Sequence, residues 1–326
     1  MKEFKEYLLQ VNKAIETVEL PSEPSRLYEP IRYTMALGGK RLRPVLALMT
    51  CDALGGESSN YLNQAIGLEF FHNFTLLHDD LMDNADVRRG KPTVYRKWDA
   101  NVAILSGDAM LTVATQIVTR NLQGDKLARI LALFNRTAIE IYEGQQYDMD
   151  YEERTDTTVD EYINMIRLKT SVLFGAACNI GAVCAGASEE RQSAMYDFAV
   201  ALGLAFQLQD DYLDVYGDEK TFGKAIGGDI QNAKRTFMLI SAYERSDDGQ
   251  REQLDELLAL DNESHSAQKI AGVTALYNEL GIPALAKERM EQYCAQALKC
   301  LKKAELSPVD ELAFEELLNK LVNREK

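Results

Sequence analysis

Proline is scarce and unevenly spread: there are seven in 326 residues, and none between Pro92 and Pro283. Nothing in that stretch carries the ring clash and missing donor that break a helix. Sustained alternation of β-branched and polar residues is missing as well, so no sheet is expected. The cysteines (Cys51, Cys178, Cys184, Cys294 and Cys300) are odd in number and have no C-x-x-C spacing. That pattern argues against a disulfide framework or a zinc site and for reduced thiols in a cytoplasmic protein. Positive charge is in deficit, with 36 Lys and Arg against 51 Asp and Glu, a net of −15. The sign is wrong for a nucleic-acid partner. An anionic substrate must therefore meet a local basic patch or metal ions, because the overall field repels it. The amino-terminal MKEFKEYLLQVNKAIE is amphipathic and lacks the apolar core of a signal peptide. The least polar run, Phe174 to Ala187, is too short to span a bilayer and reads as a buried helix. No stable membrane anchor is expected.

What is present is helical periodicity. Apolar residues recur at three and four, as in Ile104, Leu105, Met110, Leu111 and Ile117, or Ile163, Ile166 and Val172. Thr158 with Glu161 forms a capping-box pattern, and Ser307-Pro308 sets an N-cap before a first-turn proline. Gly38-Gly39 closes a helix that starts near Pro24. Polar breaks near 55–60, 123–126, 152–157 and 186–190 have the length of helix–helix connections. The polar stretch 246–267 reads as a surface connection. The expectation is one all-α domain over residues 1–326.

Two aspartate clusters share the spacing D-D-x-x-D. Asp79, Asp80 and Asp83 form the first, and Asp210, Asp211 and Asp214 the second. At helical spacing the first and last carboxylates of each lie on one face, where like charges repel. Apolar neighbours (Leu76, Leu77 and Leu81; Phe206, Leu208, Tyr212 and Leu213) make unpaired charge there costly. A hard divalent cation, which takes oxygen ligands and bridges carboxylate to phosphate, is the natural compensation. Structural salt bridges are the alternative. Two such clusters facing each other would hold a diphosphate between them. Basic residues occur where such an anion needs them: Lys40, Arg41 and Arg43 after a helix end, Arg88 and Arg89 past the first cluster, and Lys224 and Lys234 past the second.

The segments GGKRLRP, HNFTLLHDDLMDNADVRRGKPT, GDAML, EGQQYD, LKTSVL, FQLQDDYLDVYGD and GKAIGGDIQNAKRT, in this order, resemble the trans-isoprenyl diphosphate synthases of the polyprenyl synthetase family along nearly the whole chain. The resemblance implies the isoprenoid synthase fold, a bundle of long helices around a central catalytic cavity, in a homodimer. It implies Mg2+-dependent head-to-tail joining of isopentenyl diphosphate to an allylic diphosphate, with three ions. By position, Asp79 and Asp83 would hold two ions and Asp210 the third, supported by Asp80, Asp211 and Asp214. Arg88, Lys169 and Lys224 would grip the allylic diphosphate. Lys40, Arg43, His72 and Arg89 would bind isopentenyl diphosphate. Gln207, Thr170 and the Lys169 carbonyl would face a carbocation, Gln145 and Asp148 would lie just outside the metals, and Lys234 matches a loop of variable spacing. His78 matches no role.

The resemblance also implies that product length is set on the helix before Asp79. At roughly 1.5 Å per residue, Phe74 lies about 7 Å and Phe71 about 12 Å below the cluster. Thr75 is small, so a single aromatic stands where farnesyl synthases carry two. This favours a C20 product, geranylgeranyl diphosphate, over C15. A terpene cyclase would replace the second cluster and would not need GGKRLRP, and a silent subunit of a heteromeric synthase would have lost motif residues.

Overall fold

The computed structural model describes residues 2–218 and 226–322, and it is all-α apart from one short hairpin among those residues. Lys224 lies outside the described residues. The chain divides into two compact units, Met1–Arg136 with Ala176–Tyr196, and Thr137–Gly175 with Asp197–Lys326.

In the first unit, α1 (Phe4–Glu16), α2 (Ser25–Ala36) and α3 (Leu42–Ala53) precede the 21-residue α4 (Leu62–Met82). A short α5 (Val94–Lys97) leads to α6 (Ala100–Val118), whose N-cap Asp99 accepts a hydrogen bond from the Val102 amide at 2.8 Å. The α4–α6 pair is the heart of the unit. Gly67 of α4 lies against the Val118 backbone, and Gly107 of α6 lies under the His78 ring of α4. The low-numbered end of one helix thus meets the high-numbered end of the other, so they run antiparallel. At both crossings the missing side chain is what permits the approach. Leu77, Val94 and Ala103 pack between them, edged by Tyr33, Leu81, Tyr95 and Trp98.

The second unit takes residues of α7 (Gly124–Glu153), α8 (Val159–Ile166), a π-helical turn Arg167–Ser171, and residues of α9 (Val172–Ala185) and α10 (Glu189–Tyr216). Then come α11 (Gly228–Gln231), α12 (Phe237–Arg245), α13 (Asp248–Leu258), α14 (Asn262–Glu279), α15 (Ile282–Lys303) and α16 (Pro308–Val322). The Thr158–Glu161 capping box forms as the sequence predicts. The Asp310 amide is capped by the Ser307 hydroxyl at 3.2 Å. The Phe174–Ala187 run is buried along most of its length, as expected.

Two expectations are corrected. Val87–Arg88 pairs antiparallel with Lys91–Pro92, as strands β1 and β2, where no sheet was expected. Arg89 and Gly90 both adopt positive φ (52° and 74°), the backbone of a tight two-residue hairpin turn. Two-residue strands are too short to show any periodicity. The polar stretch 246–267 is not a loop but α13 and the start of α14. Asp247 and Gln250 form a capping box there, and Leu254 is the buried anchor of a helix that is otherwise mostly solvated.

Candidate functional site

The first aspartate cluster closes α4. Asp79 and Asp80 lie in its last turn and Asp83 is its C-cap, with the Asp83 amide bonded to the Asp79 carbonyl at 2.9 Å. Three carboxylates at the negative end of a helix dipole repel each other and the helix carbonyls. The hairpin supplies the remedy. Arg88 of β1 donates from Nε to Asp80 at 2.7 Å and reaches Asp79 at 3.5 Å. Burial pushes the Asp80 carboxyl up to about 6, against the pull of Arg88, with Asp79 and Asp83 adding to the rise.

About two turns earlier on the same helix, His72 lies in a basic cluster. Arg43 donates from Nη1 to the Nε2 of His72 at 3.1 Å. Burial, then Arg43, Arg89, Arg88 and Arg41, hold His72 well below its usual pKa, so the neutral ring accepts this bond. Burial lowers Arg43 itself to about 10, with Glu69 opposing. Arg89 donates to the Gly38 carbonyl and lies 3.5 Å from the Asn73 side-chain oxygen. A Cβ at Gly39 would sit 2.9 Å from the Arg89 guanidinium, so that glycine makes room for it. The structure thus brings Arg43, His72 and Arg89 together, with Lys40 on the exposed turn beside them. Sequence reasoning missed Glu69, which is 2% exposed, and gave Arg41, 4% exposed, no role beyond its charge. A lone acid within an apolar helix carries no local signal of a partner 28 residues away.

In the second unit, Asp211 of α10 is buried and doubly held. The Tyr162 hydroxyl of α8 donates to it, and the Gln207 amide donates at 3.1 Å. Burial raises its carboxyl to about 7, with Asp229 adding to the rise, while those two bonds and Lys234 oppose it. Asp214 accepts from the Asp229 amide at 2.9 Å. Thr170 donates to the Gln207 oxygen at 3.3 Å, which fixes that amide with its oxygen toward Thr170 and its nitrogen toward Asp211. Lys169 donates to Asp148 at 2.5 Å, and Lys234 lies 3.9 Å from the same oxygen. Burial alone would raise Asp148, but Lys234 and Lys169 hold it below the usual carboxylate range. The Gln145 amide nitrogen, one turn before Asp148, is buried with no hydrogen-bond partner among the described residues. Tyr162 and Asp229 were not foreseen.

Lys169 and Thr170 lie on the π turn, where the Val172 amide reaches back to the Arg167 carbonyl. Two glycines receive this wider turn: a Cβ on Gly144 of α7 would strike the Lys169 backbone nitrogen, and one on Gly203 of α10 would strike Ser171. Back in the first unit, Phe71 packs edge-on against Phe134 at 5.1 Å and tilts against Phe74 at 5.5 Å. Phe74 meets the His78 ring edge-on at 5.0 Å. Thr75 donates its hydroxyl to the His72 carbonyl at 2.8 Å. Among the described residues no three carboxylate, imidazole or thiol groups converge on one point.

The sequence model of the polyprenyl synthetase family matches residues 24–277. A short chain isoprenyl diphosphate synthase of Methanothermobacter thermautotrophicus is 38% identical over 275 residues, covering 82% of this chain and 85% of the relative. A geranylgeranyl diphosphate synthase of Methanosarcina mazei is 38% identical over 244 residues, covering 74% and 75%. A crystal structure of a geranylgeranyl pyrophosphate synthase, 41% identical, superposes with a TM-score of 0.93 over 100% of both chains.

Gly144→Ala is expected to lower unfolding stability by about 1–3 kcal/mol, because the added methyl meets backbone at the π turn rather than a movable side chain. Urea denaturation measures this, and a midpoint equal to wild type would show that the turn yields without cost.

Proposed function

The chain belongs to the polyprenyl synthetase family, and from that membership we propose that it joins isopentenyl diphosphate head-to-tail to allylic diphosphates, with geranylgeranyl diphosphate as product. It is a prenyltransferase of the isoprenyl diphosphate synthase class. The observation that carries the reading is the buried group around Arg43. Of three guanidinium groups, Arg41, Arg43 and Arg89, Arg41 is paired with the carboxylate of Glu69, and the adjoining imidazole is neutral. Burial lowers the basicity of Arg43 and Arg89. An anion with several oxygens is what such a place stabilises.

In this reading residues 1–326 act as one catalytic domain. Lys40, Arg43, His72 and Arg89 bind isopentenyl diphosphate, and Arg88, Lys169 and Lys224 grip the allylic diphosphate, with Lys234 beside them. Asp79, Asp83 and Asp210 would hold three magnesium ions. The donor set fits: carboxylate oxygens suit a hard cation, and the neighbouring Asp80, Asp211 and Asp214 are engaged by Arg88, Tyr162 and the Asp229 amide. With no closed cage of carboxylates among the described residues, diphosphate oxygens and water would complete the metal shell. The buried Gln145 amide nitrogen suits a donor to that shell.

The bound magnesium would offset the negative charge that gathers on the leaving diphosphate as the allylic C–O bond breaks. The chain's own residues do the rest. Arg88 and Lys169 hold the leaving oxygens. Thr170 donates its hydroxyl hydrogen bond to Gln207, so its oxygen turns lone pairs toward the allylic cation, as does the Lys169 carbonyl. His72 and Arg43 hold the second diphosphate so that its double bond attacks the cation carbon. A proton then leaves the new chain for the released diphosphate. Exclusion of water protects the cation throughout.

Product length follows from Phe74 with Thr75 above it and Phe71 below, braced by Phe134. Shortage of apolar cover supports a homodimer: Leu105 and Ile104 on α6 are 60% and 44% exposed. The α6 helix and the 159–185 stretch are each long and apolar enough to cross a membrane by composition, and 78% of the second is buried within the fold. We place the enzyme in the cytoplasm.

Incubation with Mg2+, labelled isopentenyl diphosphate and C5, C10 or C15 allylic primers is expected to give one discrete all-trans C20 diphosphate, lost on chelation. A C15 product would replace the chain length alone, whereas no incorporation with any primer would move the reading to a cyclase or a silent subunit. Phe74→Ala is expected to lengthen the product by one or more C5 units, and unchanged length at intact turnover would sink its role as tunnel floor. Sedimentation equilibrium should return twice the 36.6 kDa of one chain, with Leu105→Glu shifting the balance to monomer; a wild-type mass of one chain would remove the dimer.

A further inference from the structure

We infer that Glu69 is a positioning residue for the isopentenyl diphosphate, acting through Arg41 and Asn73; this rests on the reading that Lys40, Arg43, His72 and Arg89 bind that substrate. A buried carboxylate among those cations is at first sight misplaced, since it repels the anion they bind. Its contacts explain it. One oxygen of Glu69 accepts from Arg41 at 2.7 Å and from the Asn73 amide at 3.0 Å. The same Asn73 nitrogen donates to the Glu69 carbonyl at 2.8 Å, and the Asn73 oxygen is 3.5 Å from Arg89.

Arg41 is the hinge of the arrangement. Its backbone is left-handed, φ 50° and ψ 34°, a region that side chains with a Cβ rarely enter. Its second guanidinium nitrogen donates to the Met35 carbonyl in the last turn of α2 at 2.8 Å. Its own carbonyl accepts from Val45 in the first turn of α3 at 3.2 Å. The Glu69–Arg41 pair therefore pins the turn between α2 and α3 to α4. Lys40 and Arg43 stand on either side of that pinned residue, and Arg89 is fastened to the Gly38 carbonyl of the same turn. Three of the four proposed contacts of one substrate, Lys40, Arg43 and Arg89, depend on one carboxylate that need not touch it. Glu69 and Arg41, both almost wholly buried, also cancel each other's charge, leaving Arg43 and Arg89 for the anion.

The test separates position from charge. Glu69→Ala is expected to raise KM for isopentenyl diphosphate by about tenfold while KM for the allylic primer stays within about twofold. Glu69→Gln retains an oxygen that accepts from both Arg41 and Asn73, so its KM should return to the wild-type value or fall below it. Asn73→Ala, which cuts only the arm to Arg89, should give a smaller rise and guards against a Glu69→Ala protein that does not fold. If both Glu69 variants lower KM, the carboxylate acts by charge alone and the inference is overturned. Equal rises for both substrates would reduce Glu69 to general stability and overturn it equally. Arg43→Ala is the control: if it leaves KM for isopentenyl diphosphate unchanged, the binding site itself is misread. If it raises KM and neither Glu69→Ala nor Asn73→Ala does, only the role of Glu69 fails.

Discussion

Like charge crowded onto a helix is the constraint from which the rest of each unit follows. Helix α4 ends in Asp79, Asp80 and Asp83, and α10 nears its end in Asp210, Asp211 and Asp214. Neither helix is stabilised by such an ending; both are destabilised by it. In the first unit the chain turns back in a two-residue hairpin that returns Arg88 to Asp80. In the second, a buried tyrosine, a glutamine and a backbone amide are brought to Asp211 and Asp214. Burial raises the carboxyls of Asp80 and Asp211, and these are the two that the neighbouring side chains hold.

Glycine provides the second level of organisation. Gly67 and Gly107 let α4 and α6 run in contact along their length, which carries the aspartate end of α4 and His72 on one rigid element. Gly144 and Gly203 do the same for the turn bearing Lys169 and Thr170. Close backbone approach thus sets the positions of the aspartate clusters and of the Lys169–Thr170 turn, which are mounted on helices.

Much of this was legible beforehand. The long proline-free stretch and the three-and-four spacing of apolar residues dictate helices, and the Thr158 and Ser307 caps fall where their side chains predict. The aspartate clusters and most of the cations announce themselves by spacing. What escaped had no local signature. The hairpin at Val87–Pro92 is too short for a period, and α13 has too few apolar residues to separate it from a loop. Glu69, Tyr162 and Asp229 owe their importance to partners far along the chain, which only the fold brings near. His78, for which the sequence offered no role, fills the space that Gly107 leaves and buttresses Phe74.

The π turn at Arg167–Ser171 makes the length of this segment hard to alter. A residue more or less in a connecting loop is absorbed by the loop. Here, removing one residue would let the backbone relax into a better α-helix and would turn the helical residues that follow by about 100° about the helix axis. The buried face of α9 has almost no polar residues to tolerate such a rotation. Local repair of the helix would therefore be global damage. An insertion or deletion in a surface connection changes the protein's outline, whereas one here changes which side chains face the core.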